Sequence, residues 1–251
     1  MNKIISTKKL VKKFSNNGVT QTIIDNLDLE IYEKDFTIIM GSSGAGKSTL
    51  MYSLSGMDTP TSGSIEFCGE DITNMSADKL AVFRRKNCGF VFQQIYILDK
   101  MSLLDNALTA GLLVNNNKKE VLKRAKELFE KVNLPETTIR KTVNQVSGGE
   151  AQRAGIVRAV MNNPTCLFAD EPTGALNSQN SKAVLDVFTD LNNNGQSIIM
   201  VTHDKKSAIR GNRIIYLKDG KICGELRLDK YDKDSDERNA KLDEFLKDMG
   251  W

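Results

Sequence analysis

Gly41-Ser42-Ser43-Gly44-Ala45-Gly46-Lys47-Ser48-Thr49 is the stretch on which the fold turns. It follows a short apolar run, residues 36–40, whose length and composition predict a buried strand. It precedes residues 50–54, which read as a helix stopped by Gly56. Strand, G-x-x-x-x-G-K-S, helix is the setting of a phosphate-binding P-loop. Its glycines let the backbone turn tightly around a phosphate chain. Amides of the loop and of the helix N-terminus then point inward as anion donors. Lys47 can reach the outer phosphates, and the Ser48 hydroxyl can sit on Mg²⁺. The bland alternative is a Gly/Ser turn that holds a lysine by chance; the flanking strand and helix weigh against it.

Outward from the loop, residues 1–35 alternate apolar and polar, clearest at Leu27, Leu29 and Ile31. That is period-two strand patterning, with Asn16-Asn17-Gly18 as a turn, so antiparallel strands are expected before the loop strand. Phe14 lies here after Lys12-Lys13, either as a platform for a flat base or as a core phenylalanine. Beyond the loop helix, residues 59–63 form a turn, 64–68 a strand and 76–86 a helix. Residues 89–92 are a short strand ending in Gln93-Gln94. Ligands of α/β sheets bind at such strand exits, although a plain polar residue there is equally ordinary. From residue 95 to 147 the pattern turns helical, at 103–114 and at 117–132, where Val121, Leu122, Ala125, Leu128, Phe129 and Val132 share one face. This predicts a helical insertion in a mixed sheet.

Ser147-Gly148-Gly149-Glu150 opens the next helix, to about residue 161, as an S-x-x-E capping box. Two glycines in a first helical turn are poor helix formers. They leave bare amides at a positive helix end, so the segment is either an ordinary capped helix or an anion site. Residues 166–171 are an apolar strand ending in Asp170-Glu171. Beside a P-loop, the aspartate belongs on Mg²⁺. The glutamate, expected to point the other way off the strand, can polarise a water. Residues 182–191 are a further helix, and residues 197–202 a strand that ends in His203, the only histidine. A lone histidine is usually structural; its place at a strand exit makes contact with a γ-phosphate or water an equal alternative. Asp219-Gly220 between two strands signals a hairpin. The charged tail keeps Leu242, Phe245, Leu246 and Met249 on one helical face and ends in Trp251, the only tryptophan. A docked amphipathic helix is expected, a frayed tail being the alternative.

The chain has 251 residues, enough for one large domain or two modest ones. Its 35 basic and 32 acidic residues leave a charge of +3, too balanced to suggest a nucleic-acid partner. Cys68, Cys88, Cys166 and Cys223 form no C-x-x-C pair and read as reduced thiols of a cytoplasmic protein. There is no apolar run of about 18 residues and no signal-peptide pattern.

Taken together, these motifs resemble the nucleotide-binding subunit of an ABC transporter over residues 1–225. They fall in the family's order: Phe14, the Walker A loop, Gln93, the VSGGE signature, the CLFADE Walker B strand, GALN and His203. The resemblance implies an α/β P-loop NTPase with a mainly parallel core sheet, an N-terminal antiparallel β-subdomain and a helical subdomain at about 95–161, followed by a charged C-terminal helix at 226–251. It implies ATP and Mg²⁺ as cofactors and hydrolysis to ADP and phosphate. ATP would be held by Phe14 and by Gly41, Ser42, Ser43, Gly44, Ala45, Gly46, Lys47, Ser48 and Thr49. Ser48, Gln93 and Asp170 would serve the metal, and Glu171, His203 and Gln93 catalysis. Two copies would pack head to tail, each ATP meeting Ser147, Gly148, Gly149 and Glu150 of the other copy. The partner would be a separate membrane permease, placing the chain at the inner face of the cell membrane. Glu150 stands where the family usually has glutamine, and Asn177 where it has aspartate.

Within the family, GFVFQQ and FADEPTGALNS look like the branch of macrolide exporters and lipoprotein release. GALNS and the tail ending Asp248-Met249-Gly250-Trp251 most resemble bacitracin- and lantibiotic-resistance ATPases. A lipoprotein-release or cell-division type complex is the alternative. A nucleoside-monophosphate kinase shares the loop but would lack SGGE and the paired carboxylates. Soluble ABC proteins of translation or DNA repair normally carry a second cassette.

Overall fold

The computed structural model describes residues 2–16, 18–233 and 235–251. In chain order the elements are strands β1 (Lys3–Asn16), β2 (Val19–Tyr32) and β3 (Phe36–Met40), helix α1 (Lys47–Leu54), strands β4 (Ser62–Phe67) and β5 (Glu70–Asp71), helix α2 (Ala77–Asn87) and strand β6 (Cys88–Phe92). Helices α3 (Leu103–Leu112), α4 (Lys118–Lys131), α5 (Glu136–Ile139) and α6 (Gly148–Val160) follow, then strand β7 (Cys166–Asp170) and helix α7 (Ser178–Asn193). The chain closes with β8 (Ser197–Val201), α8 (Lys205–Ala208), β9 (Arg213–Lys218), β10 (Lys221–Arg227) and α9 (Asp236–Asp248). It divides into two compact units, Met1–Ala81 with Asn192–Trp251, and Val82–Leu191.

The first unit holds the P-loop. One antiparallel sheet has the order β2-β1-β4-β5. The β1–β2 turn includes Asn17, which lies outside the described residues; Gly18 beside it takes a left-handed φ of 80°. Beside this sheet runs a mixed one in which β3 pairs in parallel with both β8 and β9, and β10 returns antiparallel to β9. All five residues of β3 and all five of β8 are buried, which explains why both read as continuous apolar runs rather than alternating ones. Each aliphatic side chain so buried contributes about 1.5–3 kcal/mol. The β9–β10 hairpin turns at Asp219 (φ 49°) and Gly220 (φ 74°), the pair of positive dihedrals that a two-residue hairpin requires.

The second unit holds the parallel pair β6–β7, with Cys88 opposite Cys166 and Phe92 opposite Asp170. Phe90 stacks on Phe168 with ring centroids 5.5 Å apart. Helices α3, α4 and α6 pack on one another, burying Val121, Ala125, Leu128 and Phe129 of α4. The four cysteines are unbridged thiols; Cys68 and Cys223 are exposed, Cys88 and Cys166 buried.

Candidate functional site

The loop after β3 becomes helical at Lys47, three residues earlier than its apolar pattern suggested. Gly46 precedes the helix with φ 96° and no side-chain cap, so Lys47, Ser48 and Thr49 form the first turn of the helix rather than loop. The Lys47 ammonium lies across this turn, donating to the carbonyl oxygens of Gly41 and Ser42, each at 2.9 Å. It is 8% exposed, so a charge sits over the loop in a low-dielectric setting.

The three loop glycines serve different ends. A Cβ on Gly41 would lie 2.1 Å from the carbonyl oxygen of Leu217 in β9. One on Gly46 would lie 2.8 Å from that of Ile23 in β2. These two glycines let the loop seat against its own scaffold, which the Gly220 amide completes by donating to Ala45 at 3.3 Å. Only Gly44 (φ 80°) faces space with no atom within 4 Å of the added carbon. Internal packing explains Gly41 and Gly46, whereas at Gly44 only the left-handed φ calls for glycine and the space beyond it is open.

His203 sits in the same unit, exposed at the carboxyl end of β8. The residue before it, Thr202, donates its amide to Ile39 of β3 at 3.3 Å, so the histidine leaves the sheet beside the strand that feeds the P-loop. Asp204 turns the chain at once into α8, its carboxylate accepting from the amides of Lys206 and Ser207. Phe14 is 47% exposed on β1 under the ammonium of Lys12, 4.8 Å from its ring centroid. It is an outward platform, not a core residue.

The second unit carries the other candidates. β7 ends at Asp170, and Glu171 adopts a left-handed φ of 45°. Strand alternation therefore does not aim the Glu171 side chain; a tight turn does, closed by the Gly174 amide donating to the Glu171 carbonyl at 3.0 Å. A left-handed glutamate costs about 1–2 kcal/mol relative to a glycine there, a strain of the kind that gathers at working sites. Gln93 lies over the same turn: a Cβ on Gly174 would meet its Nε2 at 2.8 Å.

The capping box forms as its pattern required. The Ser147 hydroxyl accepts from the Glu150 amide at 3.3 Å, and the Glu150 carboxylate accepts from both the amide and the hydroxyl of Ser147 at 2.8 Å. The Ser147 amide, then its hydroxyl, hold the Glu150 pKa below the usual carboxylate range, with Arg153 and Lys141 adding to this. Ser147 and Gly148 are exposed. Gly149 is buried against Asn180 of α7, whose Oδ1 lies 2.6 Å from where its Cβ would be. Asn177, before α7, accepts from the Asn180 amide through Oδ1 at 2.9 Å, a helix cap that asparagine supplies as well as aspartate.

Two residues outside the expected set tie this unit together. Gln152 of α6 donates to the Phe92 carbonyl at 2.9 Å, and Arg158 donates to the carbonyls of Ile95 (3.1 Å) and Tyr96. The loop after Gln93 is thus bolted to the helix that begins at Ser147. Neither residue carries a spacing signal in the sequence; both are polar positions on a helix whose remaining residues are mostly buried.

Residues 24–174 match the family described as ABC transporter. An uncharacterized ABC transporter ATP-binding protein of Methanocaldococcus jannaschii is 42% identical over 215 residues, 85% of this chain and 96% of its own length. The lipoprotein-releasing system ATP-binding protein LolD of Aquifex aeolicus is 39% identical over 81% of this chain and 91% of its own. The macrolide export ATP-binding/permease protein MacB of Mannheimia succiniciproducens is 39% identical over 88% of this chain, which spans 34% of that protein. Among solved structures, a dimeric ATP-binding cassette in a post-hydrolysis state bound to ADP and Pi superposes with a TM-score of 0.83 at 34% identity, over 91% of this chain and all of that one. This assignment replaces the kinase alternative. The chain belongs to the ABC transporter family as an ATP-binding ATPase subunit, of the branch that includes MacB and LolD.

Proposed function

We propose that two copies of this chain close head to tail on two ATP molecules and that hydrolysis drives a separate membrane permease. The observation that carries the reading is that one chain holds both a cationic P-loop and an exposed, capped Ser147-Gly148 helix start. One similar solved cassette is a dimer. No described helix is long and apolar enough to cross a membrane, so a permease would have to supply the span and hold the subunit at the inner membrane face. In this reading residues 1–225 form the ATPase body and 226–251 an appended C-terminal helix.

Lys47 and the first-turn amides of α1 bind the phosphates, with Gly44 allowing close approach and Phe14 stacking on the adenine. The Ser48 hydroxyl and the Asp170 carboxylate are oxygen donors of the kind Mg²⁺ takes, one or two from protein with phosphate and water completing its shell. Ser48, Gln93 and Asp170 would hold it, and it would neutralise charge on the phosphates. Glu171 accepts a proton from the attacking water as that oxygen bonds the γ-phosphorus and the bond to the departing ADP oxygen breaks. His203 holds the γ-phosphate in line. Ser147, Gly148 and Gly149 meet the other copy's ATP, with the Glu150 charge turned back onto Ser147.

Glu171→Gln tests the assignment. It should retain ATP binding and lower turnover by roughly 10²–10⁴-fold, and unchanged turnover in a phosphate-release assay would sink it.

The permease reads as one serving resistance to antimicrobial peptides of the bacitracin and lantibiotic type, on the wording GALNS and the charged tail. The similarity to LolD supports a second reading, lipoprotein release. Disrupting the gene separates them. Sensitisation to bacitracin or lantibiotics supports the first, and mislocalised lipoproteins with unchanged sensitivity support the second.

A further inference from the structure

We infer that the C-terminal helix α9 clamps the segment carrying His203, with Arg238 as its positioning residue. The inference rests on the reading of His203 given above. α8, which starts two residues after His203, has only four residues and cannot hold its shape alone. Both its ends are held by α9. At the exit, the Arg238 guanidinium donates through Nε to the Ile209 carbonyl at 2.8 Å and through Nη2 to that of Gly211 at 2.6 Å. Its third contact is Nη1 to the Asp229 carbonyl at 2.7 Å. At the entrance, Lys205 of α8 pairs with Asp243 of α9.

This is an unusual use of an arginine. Arg238 is 9% exposed, and its guanidinium donates to three backbone carbonyls. A planar fork of donors suits that task in a way a lysine's point charge does not. Arg238 and Arg210 both lie over the buried ring of Tyr231, at 5.4 and 4.4 Å from its centroid, which fixes the guanidinium plane. The rest of α9 is anchored by Leu242 and Leu246, both buried. Phe245 and Met249 fill the space that a Cβ on Gly224 would occupy. The helix is therefore fixed to the sheet at one end and grips α8 with the other. His203 lies in a bend, with the Thr202–Ile39 bond before it, and the Asp204 amide's bond to the Thr202 hydroxyl and the short helix α8 after it. The grip of α9 on α8 therefore bears on its placement.

The test uses the full chain without a histidine tag, so that His203 gives the only imidazole signal in a proton NMR spectrum. Arg238→Ala should lower kcat about tenfold or more while KM for ATP stays within about threefold, and should broaden or split the His203 signal. Arg238→Lys should fall between Arg238→Ala and the parent chain. His203→Ala and the double variant His203→Ala/Arg238→Ala should turn over equally slowly, because Arg238 acts through the histidine. Multiplying losses, an unchanged His203 signal, or turnover within about twofold of the parent would overturn the clamp. If Arg238→Ala does not fold, Arg238→Lys and the exposed Lys205→Ala carry the same kinetic and NMR arms. A fully active His203→Ala removes the catalytic reading alone, and the NMR signal then decides whether α9 holds the segment.

Discussion

An alanine at position 41 would drive its Cβ to 2.1 Å from the Leu217 carbonyl oxygen, at a φ of 149°. One at position 44 would meet nothing within 4 Å, at a φ of 80°. The two substitutions should therefore separate stability from binding. Gly41→Ala is expected to lose at least about 2 kcal/mol in urea unfolding, since either the hairpin or the loop must shift. Gly44→Ala should cost only about 1–2 kcal/mol of backbone strain yet weaken ATP binding disproportionately, as seen by fluorescent-nucleotide titration. Equal stability losses with equal affinity losses would contradict the division of roles. The sequence made the loop itself legible, because G-x-x-x-x-G-K-S is local and its strand and helix adjoin it. It could not divide the glycines, since Leu217 comes to the loop through the pairing of β9 with β3 and Ile23 from the neighbouring sheet, both far from it in sequence. The φ of Glu171 was equally hidden, because an apolar strand pattern says nothing about where its last residue breaks away.

The capping box that opens α6 has a pH signature of its own. Bonds from the Ser147 amide and hydroxyl lower the Glu150 pKa in the folded chain. A carboxylate whose folded pKa is depressed contributes stability that is complete above its unfolded pKa and is lost as pH falls through the folded one. Thermal unfolding from neutral to acidic pH should therefore show this contribution fading below the ordinary glutamate range. Glu150→Gln keeps an acceptor for the Ser147 amide without a charge, so it should remove that part of the acid dependence by lowering stability at neutral pH while leaving the acidic end nearly unchanged. An identical acid limb in the two proteins would refute the account. At the scale of elements, the sequence spoke well wherever burial imposes a period. The five-residue strands β3, β7 and β8, the amphipathic α4 and the Asp219-Gly220 hairpin all follow from it. It spoke poorly where a polar side chain carries the join. Arg158, which holds the loop after Gln93, and Arg238, which holds α8, carry no motif that sets them apart from the other charged residues of their helices. A clue existed for Arg238: it lies one turn before Leu242 on the apolar stripe of α9, a position where an exposed cation would be out of place.

At the scale of the whole molecule, the question is what one copy can do alone. The P-loop brings phosphate donors and a buried lysine, and the Ser147 helix start is capped, exposed and rigidly backed by Asn180 and the α6 contacts to the Phe92 and Ile95 carbonyls. If each ATP is shared between the loop of one copy and the helix start of another, association must be linked to nucleotide. A ligand that binds only the closed pair stabilises it in proportion to the logarithm of its concentration over its dissociation constant. Four outcomes in light scattering follow. The chain alone should run as a monomer. Glu171→Gln with ATP should run at twice that mass, because binding proceeds and hydrolysis does not release it. Lys47→Ala with ATP should stay monomeric, because the ammonium over the loop is gone. Ser147→Arg should also stay monomeric although its own P-loop is intact, since its fault lies in what it offers the other copy. Mixing Lys47→Ala with Ser147→Arg then supplies the sharpest case. One of the two composite sites in that pair joins two intact halves, so weak dimerisation and partial ATPase activity should return. Continued inactivity of the mixture, with each variant shown to be folded, would place the signature helix outside the ATP site.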